Sequence, residues 1–306
     1  MAWRCEGLRW ADAAPVLVWR RAGGGERRES VLRYGRELGF RAIGARGCVG
    51  ARGNVCPLGA PVAARSTGAR CRECARLERA HSVAADTVAD DPRTYRVYLA
   101  WFGPGMVKVG ITAEQRGPAR LLEQGAVAFS WLGRGPLMAA RRTEELLRSA
   151  LGVPDRIPYA RKRAVRAVLP AREERIREIE LLYGRVVALE GRGWPESLER
   201  IAFEAVDHAG VFGVAALAGT ASGVVSELVD GGCVSGRLIA AAGPDLYLEP
   251  GDGSGDRGPV VLDTRLIRGW ELAGAAVGLG ITVPVRPAPT YPLGDADGGG
   301  VQDGLF

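Results

Sequence analysis

The sequence predicts an α+β protein: a small β-sheet flanked by helices, preceded by a cysteine-rich segment and followed by a small β-rich domain. Three observations predict it. A mostly apolar run from Tyr95 is stopped by Gly103-Pro104-Gly105 and resumes at Met106, the pattern of a hairpin. The apolar period then becomes helical at intervals between Pro118 and Leu182. Four of the six cysteines crowd into residues 48–74, and glycine-broken runs of strand type fill the chain beyond Gly213.

At 306 residues the chain can bury a real core and has room for two small domains. Its 47% hydrophobic and 25% charged residues are those of an ordinary soluble protein. No apolar run approaches the ~20 residues of a membrane helix. The start, MAWRCEGLRWADAAP, has no continuous hydrophobic segment behind its charge, so a cytoplasmic protein is expected. The net charge of +6 suits a nucleic-acid partner, but its sign alone says little. Distribution says more: arginines crowd residues 41–79 and 134–177, and the tail beyond Gly251 is acidic to neutral.

Residues 1–47 form a β-rich N-terminal segment, with strand-like runs at Val16–Arg20 and Val31–Tyr34 separated by Gly23-Gly24-Gly25. Its arginines, Arg27, Arg28, Arg33 and Arg36, could touch a polyanion, though a solvated face is the plainer reading. Residues 48–82 hold Cys48, Cys56, Cys71 and Cys74. Cys71-x-x-Cys74 is the spacing that lets two thiolates bind one tetrahedral ion, and the gap to the other pair resembles a knuckle. Four cysteines in under thirty residues of a reducing compartment are better explained by metal than by disulfides. The residues between them are too poor in apolar side chains to order themselves without a cross-link, so structural Zn²⁺ is expected. The first pair is not CxxC, and His81 is an alternative ligand; reduced thiols and redox chemistry are the other readings. Residues 83–94 form a polar linker whose Asp86, Asp90 and Asp91 invite a metal reading, with a solvated loop as the plainer one.

The central segment, residues 95–193, begins with the hairpin, which puts Tyr98 and Lys108 close together on neighbouring strands. Pro118 suits a first helical turn, Leu121 and Leu122 give it an apolar side, and Gly125 ends it. Arg120 and Gln124 share one face of that helix. A third strand, Phe129–Leu132, leads to a helix over 137–151 with Gly152 as its stop. Glu144 falls on that helix in line with Ala140, Leu147 and Leu151, a costly place for an unpaired carboxylate. Glu145 is the alternative one position round, and the plain reading is a salt bridge of either with Arg141 or Arg148. Residues 155–166 pack Arg156, Arg161, Lys162, Arg163 and Arg166 around Tyr159, either a surface that tracks a phosphate backbone or simply one exposed helix face. The amphipathic helix over 171–183 is scaffold.

Residues 195–293 open with a helix, Glu196–Asp207. Strand-type runs follow at Gly213–Leu217, Val234–Ala241, Asp245–Glu249, Val260–Asp263 and Ile281–Val285, together a small β domain for docking or covering a substrate. Gly251–Gly258 reads as a hairpin tip and residues 294–306 as a disordered tail.

The order Val97-Tyr98-Leu99, then Lys108-Val109-Gly110-Ile111-Thr112, then Arg120, then Glu144 resembles the GIY-YIG nuclease superfamily. Arg120-Leu121-Leu122-Glu123-Gln124-Gly125-Ala126 behind a cysteine-rich segment resembles the DUF2797 family, over residues 45–275 at the widest. The family name states no function. The superfamily likeness implies a metal-dependent nuclease in which Tyr98 helps deprotonate water, Arg120 stabilises the pentavalent phosphate and Glu144 holds Mg²⁺ or Mn²⁺. Arg116, Gln124, Arg161, Lys162 and Arg163 are the residues expected to meet DNA or RNA. Lys108 stands where the superfamily commonly has a second Tyr, and no His follows Arg120 closely. Lys108 can add charge, or serve as proton acceptor if desolvated. Two further readings stay open: a catalytically silent zinc-containing nucleic-acid binder, and an enzyme using this pocket on a nucleotide or small metabolite.

Overall fold

Two short strands with complementary apolar faces and a Gly-Pro loop between them pair as the sequence requires. The computed structural model describes residues 3–21, 25–80, 91–189, 193–217, 219–251, 258–276 and 278–290. The first strands are β1 (Trp3–Ala11), β2 (Ala14–Arg21), β3 (Arg27–Val31) and β4 (Glu37–Ile43). The cysteine segment carries α1 (Arg72–Arg79). The central module contains β5 (Thr94–Trp101), β6 (Val107–Ala113), α2 (Ala119–Gln124), β7 (Ala128–Pro136), α3 (Leu137–Leu151), α4 (Tyr159–Val165) and α5 (Arg172–Val187). To it are added β8 (Glu199–Arg200) and β9 (Ala205–Asp207). The remaining elements are α6 (Ala209–Phe212), β10 (Gly223–Val225), β11 (Cys233–Ala242), β12 (Asp245–Glu249), β13 (Val260–Asp263), α7 (Thr264–Ile267), β14 (Glu271–Gly274) and β15 (Val285–Pro287).

The protein is mixed α+β, with the cysteine cluster towards its N-terminus and, among the described residues, two sheets. The smaller sheet runs β6-β5-β7-β8, with β9 also on β7. Its alternation sorts the side chains as a period of two demands. Val97, Leu99 and Trp101 face a core closed by Leu147 of α3 and Ile179 and Leu182 of α5. Tyr98, Ala100 and Phe102 face a second core with Leu121 of α2 and Val165 of α4. The hairpin register sets Tyr98 opposite Gly110 and Ala100 opposite Lys108, so Tyr98 and Lys108 are diagonal neighbours. Gly110 is glycine for room: a Cβ there would stand 2.4 Å from the Tyr98 hydroxyl.

The larger sheet has ten strands in the order β15-β10-β13-β12-β11-β4-β14-β1-β2-β3. The N-terminal β-rich segment and the C-terminal one therefore share a sheet: β4 lies between β11 and β14, and β1 pairs β14 with Trp3 opposite Leu272. Four strands alone leave two unpaired edges and half a core. Trp10, Leu17, Phe40, Val234, Leu246 and Trp270 complete that core, which also takes in Leu122 of α2 and Phe212 of α6.

Four sequence expectations differ locally. The expected strand Val31–Tyr34 is strand only at Val31, because β3 pairs back along β2 as Arg27–Val31 and the chain then turns at Tyr34 and Gly35. Residues 196–207 are not helical, because the open edge of β7 recruits β8 and β9. Residues 213–217 are a 3₁₀ turn rather than a strand, since Gly213 takes φ +66° and ends α6. Ile281 makes only an isolated bridge to Val234, and the strand begins at Val285. His81, the Asp86 and Asp90 linker, most of the Gly251–Gly258 tip and the 294–306 tail lie outside the described residues. Among the described residues no helix is long and apolar enough to cross a membrane.

Candidate functional site

Tyr98 comes from β5, Lys108 from β6, Arg120 and Gln124 from α2, and Glu144 from α3. Tyr98 is 1% exposed, and its phenolic oxygen accepts a 2.8 Å hydrogen bond from Gln124 Nε2. Burial pushes its pKa up, with the Gln124 bond and the Arg120 charge acting the other way. Lys108 is 9% exposed and its Nζ lies 5.7 Å from the centre of the Tyr98 ring. It donates to the Asp155 carbonyl at 3.1 Å. Burial pushes its pKa down to about 8, Arg120 adds to the effect, and Glu144 opposes it. Glu144 is half-buried, and burial holds its carboxyl above the usual range against the pull of Lys108. Arg120 is half-buried and the most open of the set, its guanidinium 3.7 Å from Glu123. Glu145 points outward and pairs with Arg148, so Glu144 is the carboxylate that the site holds.

The basic run around Tyr159 is not a surface stripe, as either sequence reading would have had it. Arg161 alone of Arg161, Lys162 and Arg163 faces solvent. Lys162 is 4% exposed and donates to the Gln124 carbonyl at 3.1 Å. Its Nζ lies 3.8 Å from the centre of the Phe102 ring and 4.5 Å from that of Tyr159. Burial, then Arg166 and Lys108, push its pKa down to about 6, an effect that the two ring faces partly offset. Arg163 clamps Asp245 at 2.8 and 2.6 Å and reaches Asp263 at 2.6 Å. The helix turns inward because those carboxylates on β12 and β13 meet it. Arg116, though exposed, is taken by Glu123 at 2.5 Å, and Gln124 is spent on Tyr98.

The Arg163 clamp predicts a pH signature. Arg163→Met leaves two buried carboxylates with Arg265 as their remaining ion-pair partner, and should cost ~3–5 kcal/mol near neutral pH. Protonating an orphaned carboxyl relieves the cost, so urea unfolding should find a smaller loss at pH 5 than at pH 7. Equal losses at both pH values would remove the electrostatic explanation.

The scarcity of lysine is a further signal in the sequence. Of 41 lysines and arginines only Lys108 and Lys162 are lysine, and both are buried beside one another's charge in this site. Arginine does not give up its proton in a protein, whereas a desolvated lysine does. A cleft of about 390 Å³ beside the start of β5 has no comparable chemistry: its Arg93 and Arg134 are paired with its own Asp91 and Glu199.

The Sγ atoms of Cys48, Cys56, Cys71 and Cys74 all lie within 4.8 Å of one another. Cys48 Sγ accepts from the Gly50 and Cys71 amides at 3.4 and 3.2 Å, and the Ala60 amide helps lower Cys56 to about 7. Gly50 takes φ +79° in a turn where a Cβ would lie 1.8 Å from the Asn54 carbonyl oxygen. The buried Arg46 anchors the segment by donating to the carbonyls of Ala63, Ser66, Arg265 and Arg268. Four converging soft donors with amides aimed at sulfur can hold a metal ion, consistent with a structural zinc. Cys5 and Cys233 stand apart, buried in the larger sheet.

The family model described as "Protein of unknown function (DUF2797)" matches residues 35–272. No curated protein matches the chain, and no solved structure does.

Proposed function

The chain belongs to the family described as "Protein of unknown function (DUF2797)", and we propose that its central module is a GIY-YIG-like, metal-dependent hydrolase of nucleic-acid phosphodiesters. The observation that carries this reading is the convergence of Lys108, Tyr98, Arg120 and Glu144 from four elements, with Lys108 buried within electrostatic reach of Arg120 and Glu144. Phosphodiester hydrolysis needs a proton acceptor for water, a cation for the developing charge and usually a divalent metal. Lys108 takes the proton, Tyr98 orients the water, and Arg120 meets the phosphate. Glu144 fits as the residue that would hold Mg²⁺ or Mn²⁺, because its half-buried carboxyl, held up by burial, gains most from a cation. Such an ion would polarise the phosphoryl oxygen. The four cysteines hold one structural Zn²⁺.

End-labelled single- and double-stranded DNA and RNA, incubated with the protein and Mn²⁺ or Mg²⁺, test the reading. Wild type should cleave at least one substrate, and Tyr98→Phe, Arg120→Ala and Glu144→Ala should each slow cleavage about 10²-fold or more. No cleavage by wild type at saturating binding would sink the hydrolase and leave a binding protein.

A further inference from the structure

We propose that the cysteine element is a docking surface for single-stranded nucleic acid, built from the outer face of α1 and the loop around Cys56. The identity of the ligand rests on the function proposed above; its location does not. Arg72, Arg76 and Arg79 recur at i, i+4 and i+7 and therefore line one face of α1, all exposed. The opposite face is occupied by Cys74, which joins the cluster, and by Glu78, which takes Arg70 at 2.9 Å and the Arg52 amide at 2.9 Å. Glu73 lies 3.3 Å from Arg76, but both side chains are largely exposed, and such a pair yields readily to phosphate. Between residues 46 and 80 there are seven arginines and two glutamates.

Apolar side chains accompany this charge. Val55, Leu58 and Leu77 are 53%, 73% and 48% exposed. Cys56 Sγ lies 4.0 Å from Cys71 Sγ, which holds the Val55–Leu58 loop against the start of α1. Guanidinium forks match phosphate oxygens in pairs, and apolar groups beside them match base faces, which only an unpaired strand exposes. An anionic membrane is the weaker fit, since Leu77 is the one large apolar side chain that α1 exposes. Lys162 and Arg163, buried at the sheet interface, cannot serve this role.

The test measures anisotropy of labelled 20-mer dT and rU strands and a 20-base-pair duplex with the full chain in a Glu144→Ala background, beside co-sedimentation with phosphatidylserine vesicles. Arg72→Ser/Arg76→Ser/Arg79→Ser should weaken single-strand binding at least tenfold and make the log–log salt dependence shallower by about 2. Val55→Ser/Leu58→Ser should lower the preference for single strands over duplex. Melting temperature and metal content should not change, and Arg52→Ser with Arg79→Ser, away from the ligands, repeats the test in milder form. Unaltered strand affinity in folded variants, no strand binding by the parent, or preference for vesicles would each overturn the proposal. In the Glu144 chain the triple variant should raise KM and spare kcat. Loss of binding without any wild-type cleavage would keep the surface and remove the hydrolase.

Discussion

Lys108→Arg is expected to abolish cleavage, by 10²-fold or more, while leaving substrate binding nearly intact. Arginine keeps the charge and approximate reach but cannot accept a proton near neutral pH. Wild-type rate should climb about tenfold per pH unit towards a plateau near pH 8, the position to which burial brings the Lys108 pKa. Stability should move the opposite way on mutation. The unfolded chain holds the Lys108 proton up to about 10.4, the folded chain only up to about 8, so between these values the unfolded state binds more protons and stability rises with pH. Below pH 8 the folded state bears the full cost, on the order of 3 kcal/mol. Lys108→Met removes it and should raise the melting temperature at pH 7 while losing activity. A Lys108→Arg protein with wild-type rate and pH profile would reduce Lys108 to a fixed charge.

That pairing of Tyr98 with Lys108 was legible because a hairpin is local: the Gly103–Gly105 loop and two alternating strands put the residues on neighbouring strands without any long-range information. The bounds of α3, with Gly152 in the left-handed region after it, follow from its apolar period and a glycine stop in the same way. The fate of the 155–166 run was not legible. Its charges read as surface because the carboxylates that neutralise Arg163 lie 82 and 100 residues further on. The shared ten-stranded sheet was hidden for the same reason, since β1 meets β14 across most of the chain and no local pattern encodes strand pairing at that separation. Lys108 is singled out by its place in the hairpin and Lys162 by its basic neighbours, but the rarity of lysine among the cations, which sets the two together, lies in the composition of the whole chain rather than in any motif.

Stripping metal from the cysteine cluster should be the largest single perturbation of stability. Structural zinc contributes ~10–16 kcal/mol in isolated zinc-finger peptides, where binding and folding are one event. Here residues 46–80 surround it, and Arg46 ties that segment to α7 and the β14 side of the larger sheet through the Arg265 and Arg268 carbonyls, while its bonds to the Ala63 and Ser66 carbonyls hold the segment itself. The loss should therefore spread beyond the loop. Purified protein should carry about one zinc per chain by elemental analysis. A strong chelator, or Cys71→Ser with Cys74→Ser, should lower the melting temperature by more than 10 °C and expose residues 46–80 to protease. Cys233→Ser, remote from the cluster, should change neither. Acid should act like the chelator: Cys74 is pushed up to about 12 by burial and the neighbouring thiols, whereas Cys56 is drawn to about 7, so metal uptake at neutral pH must expel protons and weakens as pH falls. A metal-free preparation with freely titrating thiols and an unchanged melting temperature would show instead that hydrogen bonds and Arg46 suffice to order the segment.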